Sequence, residues 1–149
     1  MNLTTAIDTK ITFRRVISDF KQLAKVGLSL SVVFSSVAGY LLAVDVINFT
    51  TVVLLALGGF FMVGASNVYN QIIERDLDAL MDRTKNRPIP SGRMESNMAL
   101  IIAFALTILG IVLLYTINPK SAMFGAISIF LYTSVYTPLK TVTSLSVFV

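Results

Sequence analysis

The segment NVYNQIIERDLDALMDRTKNRPIPSGR, residues 67–93, separates two long apolar blocks and decides how this chain is built. Of the eight acidic residues of the chain, four lie in this segment and a fifth, Glu95, lies just beyond its end. Asn70, Glu74, Asp78 and Asp82 are spaced by four. On a helix, each such step turns about 400°, so the row stays on one face. Because acids at this spacing repel one another, the pattern predicts a cation among them.

The composition predicts an integral membrane protein. Of the 149 residues, 55% are hydrophobic and 13% are charged, about half the charged fraction of a soluble domain. The apolar residues form blocks of about twenty, the length that crosses a bilayer. The chain has no cysteine and no histidine, which excludes thiolate metal sites and a histidine base or ligand within these residues. The net charge of +4 is a weak argument for nucleic-acid binding, and the distribution of the basic residues says more about membrane orientation.

We predict an all-α membrane fold with four transmembrane helices, an N-terminal amphipathic helix and the start of a fifth span. The spans are predicted at about residues 26–47, 51–73, 98–117 and 121–137.

The segments outside these spans are polar or amphipathic. We expect residues 1–10 to be mobile, residues 11–25 to form a helix in the headgroup region, and residues 74–97 to form a loop. The last residues, 144–149, turn apolar again and then stop. We therefore expect the chain to be a fragment of a longer membrane protein.

The basic residues predict how the chain is oriented in the membrane. Eleven of the twelve lie before the first span, between the second and third, or after the fourth, and Lys120 is the exception. The positive-inside rule then places the N-terminus and the acidic loop in the cytoplasm, in a multi-pass protein of the plasma membrane.

The acidic row and the cations after it could form a binding site for a diphosphate. Carboxylate and amide oxygens are ligands for Mg²⁺, which also takes oxygens from substrate phosphates. The candidate metal ligands are Asn70, Glu74 and Asp78, and the candidate diphosphate ligands are Arg83, Lys85 and Arg87. The alternative is a solvated loop of mixed charge with ion pairs on its surface, since Asp82 adjoins Arg83. Spacing alone does not decide between these interpretations.

Two motifs resemble those of the UbiA-type intramembrane prenyltransferases. The first is Asn70-x-x-x-Glu74-x-x-x-Asp78, followed by Arg83-Thr84 and then by NRPIPSG at residues 86–92. Those enzymes usually carry Asp where Glu74 stands, and Glu at this place is similar to the haem O synthase branch. The second is the YTPLK run that contains Tyr136 and Lys140, which resembles the Tyr-x-x-x-Lys motif of the family.

The resemblance implies a function and a role for each matching residue. It implies Mg²⁺-dependent transfer of a farnesyl group from farnesyl diphosphate to a vinyl group of haem B, giving haem O within the bilayer. The chain would be the N-terminal part, residues 1–149, of one roughly nine-span prenyltransferase domain. The implied metal ligands are Asn70, Glu74 and Asp78; the implied diphosphate ligands are Arg83, Lys85, Arg87 and Lys140, with Tyr136 and Lys140 as catalytic residues.

The chain also departs from the family. The family carries a second aspartate-rich motif in its C-terminal half, and this chain has none, so we expect the 149-residue chain alone to be inactive. Two alternatives remain open. One is a prenyltransferase of the same type with another aromatic or macrocyclic acceptor. The other is a small four-span transporter or helper protein whose loop binds Mg²⁺ or lipid.

Overall fold

The computed structural model describes residues 15–137 and 139, and within them all regular structure is helical. The elements are α1 (residues 15–23), α2 (Val26–Ala43), α3 (Phe49–Ile73), α4 (Arg75–Leu80), α5 (Ser96–Ile117), α6 (Pro119–Phe130) and a π-helix (Leu131–Tyr136). The predicted all-α fold is confirmed.

Three helices among the described residues are long and apolar enough to cross a membrane, namely α2, α3 and α5. The fourth predicted span corresponds to α6 and to the π-helix that continues it without a break, since Leu131 keeps right-handed helical dihedrals (φ −60°, ψ −43°). The predicted start of a fifth span lies outside the described residues, as do residues 1–14. The chain is thus an integral membrane protein made of packed helices.

Two predicted boundaries differ from the structure for local reasons. The helix predicted over residues 11–25 ends at Leu23, because Lys25 takes a left-handed backbone conformation (φ 44°, ψ 56°). The segment 74–97, predicted as a loop, contains the short helix α4. The chain from Met81 to Glu95 folds into successive turns, in which for example Thr84 N–H donates to Met81 O at 3.0 Å.

Side-chain caps define where two of the helices begin. Asn48 Oδ1 accepts the Thr51 N–H at 3.2 Å at the start of α3. Asn118 Oδ1 accepts the Ser121 N–H at 2.8 Å at the start of α6, where Pro119 occupies the first turn. Asparagine caps and a proline in the first turn are both favoured at helix N-termini. They allow the chain to reverse direction between spans within a few residues.

Small residues bring α3 and α5 into close contact. A Cβ atom built on Gly110 would lie 2.7 Å from Met62 Sδ and 3.2 Å from Gly58 O. Glycine at such places lets two helix backbones approach each other in a membrane. The α3–α5 pair is therefore closely packed, and α2 and α6 pack against it.

A buried cluster joins one end of this pair to the connecting segments. Leu23 from α1, Val68 from α3, Ile89 from the turns and Ala99 from α5 are all at most 4% exposed and lie in one apolar cluster. The turns between α4 and α5 are thus fixed against the helix ends. This arrangement holds their polar side chains over the end of α3.

Candidate active site

The predicted row of metal ligands lies along the join between α3 and α4. The helix breaks at Glu74 (φ −92°, ψ 7°), but its spacing of four continues through the break. Glu74 N–H donates to Asn70 O at 2.9 Å, and Asp78 N–H donates to Glu74 O at 2.8 Å. All three side chains are buried and line one cavity of about 350 Å³, named here the acidic cavity.

The row of acids ends at Asp78. Helix α4 stops at Leu80, and Met81 is extended (φ −99°, ψ 126°). Asp82, whose place in the row the sequence left undecided, does not share this face: its side chain is 97% exposed and pairs with Lys85. Asp76, which lies outside the spacing of four, is 88% exposed and pairs with Arg75 at 3.0 Å.

Of the four predicted diphosphate-binding cations, the structure describes three, Arg83, Lys85 and Arg87, and they lie in different places. Arg87 Nη1 donates to Asp78 Oδ2 at 2.6 Å, and both Arg83 and Arg87 line the acidic cavity. Lys85 does not line the cavity, and its Nζ pairs with Asp82 Oδ1 at 2.6 Å on the exposed side. The turn is held in place by Thr84, whose buried hydroxyl donates to Asp78 O at 2.9 Å. The structure thus brings two of the three cations to the site.

The predicted catalytic Tyr136 also lies at the acidic cavity. It belongs to the π-helix, where its ring stacks on that of Tyr132 with centroids 5.3 Å apart and an interplanar angle of 20°. Both tyrosines line the cavity. π-helical turns are rare and occur frequently at functional sites. Lys140, the partner of Tyr136 in the sequence motif, lies outside the described residues.

A second cavity adjoins the first. It has a volume of about 570 Å³ and is enclosed by side chains of α2, α3 and α6, such as Val32, Met62 and Phe124. Tyr132 lines both cavities. We name the second one the apolar cavity. A polar cavity that adjoins an apolar one suits a ligand with a charged head and a hydrocarbon tail.

Lys25 is a site residue that the sequence places within the predicted amphipathic helix of residues 11–25 and does not connect with the site. It lines the acidic cavity together with Glu74 and Asp78. Its left-handed backbone forms the corner between α1 and α2. Left-handed backbone is costly for a residue with a Cβ atom, and such conformations concentrate at functional sites.

The corner at Lys25 is held by two amides near the end of α3. Gln71 Nε2 donates to Leu23 O at 2.7 Å, and Asn67 Nδ2 donates to Ala24 O at 3.2 Å. Both amide side chains are at most 2% exposed. Buried amides near the end of an apolar span were the signal that this end of α3 binds another segment of the chain. They did not identify which segment it binds.

The residues present fit a hard divalent cation. Asn70, Glu74 and Asp78 offer one amide and two carboxylate side chains to the same cavity, and Mg²⁺ binds through one or two carboxylates plus water and substrate phosphate oxygens. Residues 15–137 and 139 contain no group of three His, Cys, Asp or Glu side chains that could hold a metal.

Comparisons with known proteins match this chain to a family model and to named relatives. The model of the UbiA prenyltransferase family matches residues 32–149. Two similar proteins, both named protoheme IX farnesyltransferase, come from Christiangramia forsetii and Flavobacterium psychrophilum. The first is 70% identical over 134 residues, which cover 90% of this chain and 45% of that protein. The second is 65% identical over 148 residues, which cover 97% of this chain and 49% of that protein.

A more distant relative carries the same name. The protoheme IX farnesyltransferase of Cytophaga hutchinsonii is 41% identical over 133 residues. The chain spans about half the length of the curated relatives it matches. No solved structure matches it significantly.

Proposed function

Because the chain belongs to the UbiA prenyltransferase family, we propose that the protein transfers a farnesyl group from farnesyl diphosphate to haem B. The product is haem O, and the reaction takes place in the bacterial inner membrane with the acidic cavity on the cytoplasmic side. The names of the relatives support the acceptor. The basic residues around the first, second and fourth spans support the orientation.

One observation carries the proposal: acids and cations converge on one cavity beside an apolar one. Glu74 and Asp78 share the acidic cavity with Lys25, Arg83 and Arg87. A diphosphate needs both charges around it, cations against its oxygens and carboxylates for the Mg²⁺ that it carries. The apolar cavity, which Tyr132 also lines, suits the isoprenoid tail.

The proposed reaction breaks the C1–O bond of farnesyl diphosphate, the π bond of one haem vinyl group and one O–H bond of water, whose proton passes to solvent; it forms one C–C bond and one C–O bond. The C1–O bond of farnesyl diphosphate breaks, and its electron pair leaves with the diphosphate. The vinyl π electrons of haem B form the new carbon–carbon bond to C1. Water then adds its oxygen to the remaining cationic carbon and loses a proton, which leaves a hydroxyethylfarnesyl group. Every atom is thus accounted for, and no oxidant is needed.

The residues of this chain would act mainly on the leaving group. Arg83, Arg87 and Lys25 would bind the diphosphate oxygens and stabilise the negative charge that develops on them. Asn70, Glu74 and Asp78 would hold Mg²⁺, which when bound neutralises diphosphate charge and so favours its departure. The apolar side chains of the second cavity would exclude water from the farnesyl cation.

The remaining predicted residues have different support. Tyr136 lines the acidic cavity and stacks on Tyr132, which supports a place beside the reacting carbon. Lys85 is directed away from the cavity, so we do not include it among the diphosphate ligands. Lys140 stays a prediction from its motif. The comparisons favour a prenyltransferase over a four-span transporter or helper protein.

The test uses a hybrid protein in which this chain replaces the corresponding part of the Flavobacterium psychrophilum relative. Haem B and 4-hydroxybenzoate are offered together with farnesyl diphosphate, and the products are separated by chromatography. We expect haem O as the product and loss of its formation in Asp78→Asn and Glu74→Gln. Prenylated 4-hydroxybenzoate as the main product would contradict the proposed acceptor.

The matched control is Asp76→Asn. Asp76 lies on the same short helix as Asp78, but its side chain is 88% exposed outside the cavity. We expect this variant to retain activity and all variants to insert into the membrane. Full activity of both Asp78→Asn and Glu74→Gln would contradict the assignment of these carboxylates to Mg²⁺.

A further inference from the structure

We propose that Thr137 is a positioning residue that lets the Asn70 side chain present its oxygen to a cation in the acidic cavity. This inference rests on the proposed Mg²⁺ site and adds a residue to it. Thr137 is fully buried and Asn70 is 2% exposed. The Thr137 hydroxyl donates to Asn70 Oδ1 at 3.1 Å across 67 positions of sequence.

The Asn70 amide is held at both ends. Its Nδ2 donates to Glu74 Oε2 at 2.8 Å, while its Oδ1 faces Thr137. In this orientation the amide oxygen is turned away from the carboxylate that would share the cation. Asn70 can serve as an oxygen ligand beside Glu74 only if its two ends exchange places. Its N–H groups then need a new buried acceptor, since an unsatisfied buried donor costs about 1–3 kcal/mol.

Thr137 can supply that acceptor, because its hydroxyl has a choice of partners. The hydroxyl oxygen also lies 2.7 Å from Tyr132 O, and a hydroxyl carries one hydrogen but two acceptor sites. Tyr132 O already accepts the Thr137 backbone N–H, at the end of the π-helix. The hydroxyl can therefore donate either to Asn70 or to Tyr132 without leaving the Tyr132 carbonyl unsatisfied.

Two complete hydrogen-bond arrangements follow. In the first, Thr137 donates to Asn70 Oδ1 and Asn70 Nδ2 donates to Glu74, as observed. In the second, Thr137 donates to Tyr132 O and accepts from Asn70 Nδ2, so that Asn70 Oδ1 faces the Glu74 carboxylate. Two oxygens placed together in this way repel each other unless a cation lies between them. Thr137 thus allows the Asn70 amide to turn its oxygen towards the cation when the cation is bound.

The test measures binding of Mn²⁺, used as a paramagnetic substitute for Mg²⁺, by electron paramagnetic resonance in the hybrid protein. Thr137→Val keeps the shape and removes the hydroxyl, and we expect it to weaken Mn²⁺ binding about tenfold, as loss of a residue that orients a metal ligand does. Thr137→Ser keeps the hydroxyl and should bind as the parent protein does. The Mg²⁺ concentration that gives half-maximal haem O formation should shift in parallel.

The same substitution made in an Asn70→Asp variant distinguishes an orienting role of Thr137 from a packing role. In Asn70→Asp the side chain has two equivalent oxygens, so no orienting partner is needed. Adding Thr137→Val to it should change Mn²⁺ binding less than about twofold if the coupling runs through the amide. Equal weakening in both backgrounds would show that Thr137 only packs, and would overturn the inference. So would parent-like binding by Thr137→Val alone.

Controls keep the outcomes distinguishable. Thr137→Ala removes the hydroxyl with a smaller side chain and replaces Thr137→Val if the valine variant does not fold, as judged by its thermal unfolding midpoint. If the parent hybrid neither binds Mn²⁺ nor requires Mg²⁺, the proposed function fails and the inference fails with it. If the parent behaves as proposed, only the comparison of the two backgrounds decides the role of Thr137.

Discussion

Arg87 Nη1 lies 2.6 Å from Asp78 Oδ2, and the two side chains are 23% and 6% exposed, respectively. The pair joins the turns after α4 to the acidic row and neutralises a buried carboxylate. The Arg87 guanidinium group donates to one of the two Asp78 carboxylate oxygens, Oδ2. The same arginine therefore contributes to the stability of the site and to its positive charge.

Replacing Arg87 should affect both properties. We expect Arg87→Gln to lower the free energy of unfolding by about 1.5–3 kcal/mol, because a buried charged hydrogen bond is lost. Haem O formation by the hybrid protein should fall with it. Arg87→Lys should recover part of the stability but less of the activity, since an ammonium group lacks the planar fork that binds two oxygens. Unchanged stability of Arg87→Gln in a thermal unfolding assay would contradict this account of the pair.

The neighbouring cations Arg83 and Lys85 should differ sharply. Arg83 lines the acidic cavity, whereas Lys85 pairs with the exposed Asp82. If the protein is the proposed farnesyltransferase, Arg83→Ala in the hybrid protein should raise the KM for farnesyl diphosphate about tenfold, equivalent to about 1.4 kcal/mol of binding. Lys85→Ala is the matched control and should change stability by no more than about 1 kcal/mol, as for other exposed ion pairs. Steady-state kinetics measures the KM of both variants, and an equal rise in KM for Arg83→Ala and Lys85→Ala would contradict the assignment.

The spans and the alignment of Asn70, Glu74 and Asp78 on one face could be predicted because both depend on local repetition. An apolar run of sufficient length has few alternatives to a membrane helix. The row of Asn70, Glu74 and Asp78 stays aligned even though the helix breaks at Glu74, because backbone hydrogen bonds at spacing four continue through the break. A row of side chains at spacing four therefore keeps its alignment through a local break in the helix.

The remaining parts of the site depend on contacts between distant segments. Lys25 reaches the acidic cavity because Asn67 and Gln71 bind the carbonyls just before it. Thr137 reaches Asn70 at the end of the π-helix. No periodicity within either segment predicts these long-range contacts. Lys85 and Arg83 likewise look equivalent in sequence, and only the turns after α4 separate their directions.

Because α3 and α5 are in close contact, adding one methyl group at Gly110 should change the stability of the protein. A Cβ atom at Gly110 would lie 2.7 Å from Met62 Sδ and 2.8 Å from Met62 Cγ. We expect Gly110→Ala to destabilise the protein by about 1–3 kcal/mol, the usual cost of overpacking. Gly39→Ala is the control, since a Cβ there meets nothing within 4 Å, and it should be neutral or stabilising by up to about 1 kcal/mol. Thermal unfolding in detergent micelles measures both, and equal midpoints would contradict the close approach.

The corner at Lys25 allows backbone and side chain to be tested separately. Lys25→Gly and Lys25→Ala both remove the cation from the acidic cavity, so in the hybrid protein both should raise the KM for the proposed substrate, farnesyl diphosphate, by a similar factor, about tenfold. They should differ in stability, because Lys25 has a φ of 44° and alanine pays the steric cost of left-handed backbone that glycine avoids. After allowing for the greater chain entropy of glycine, we expect the glycine variant to be about 1 kcal/mol more stable than the alanine variant. A parent-like KM in both would show that Lys25 does not bind the substrate, and equal unfolding midpoints would show that the left-handed corner carries no strain.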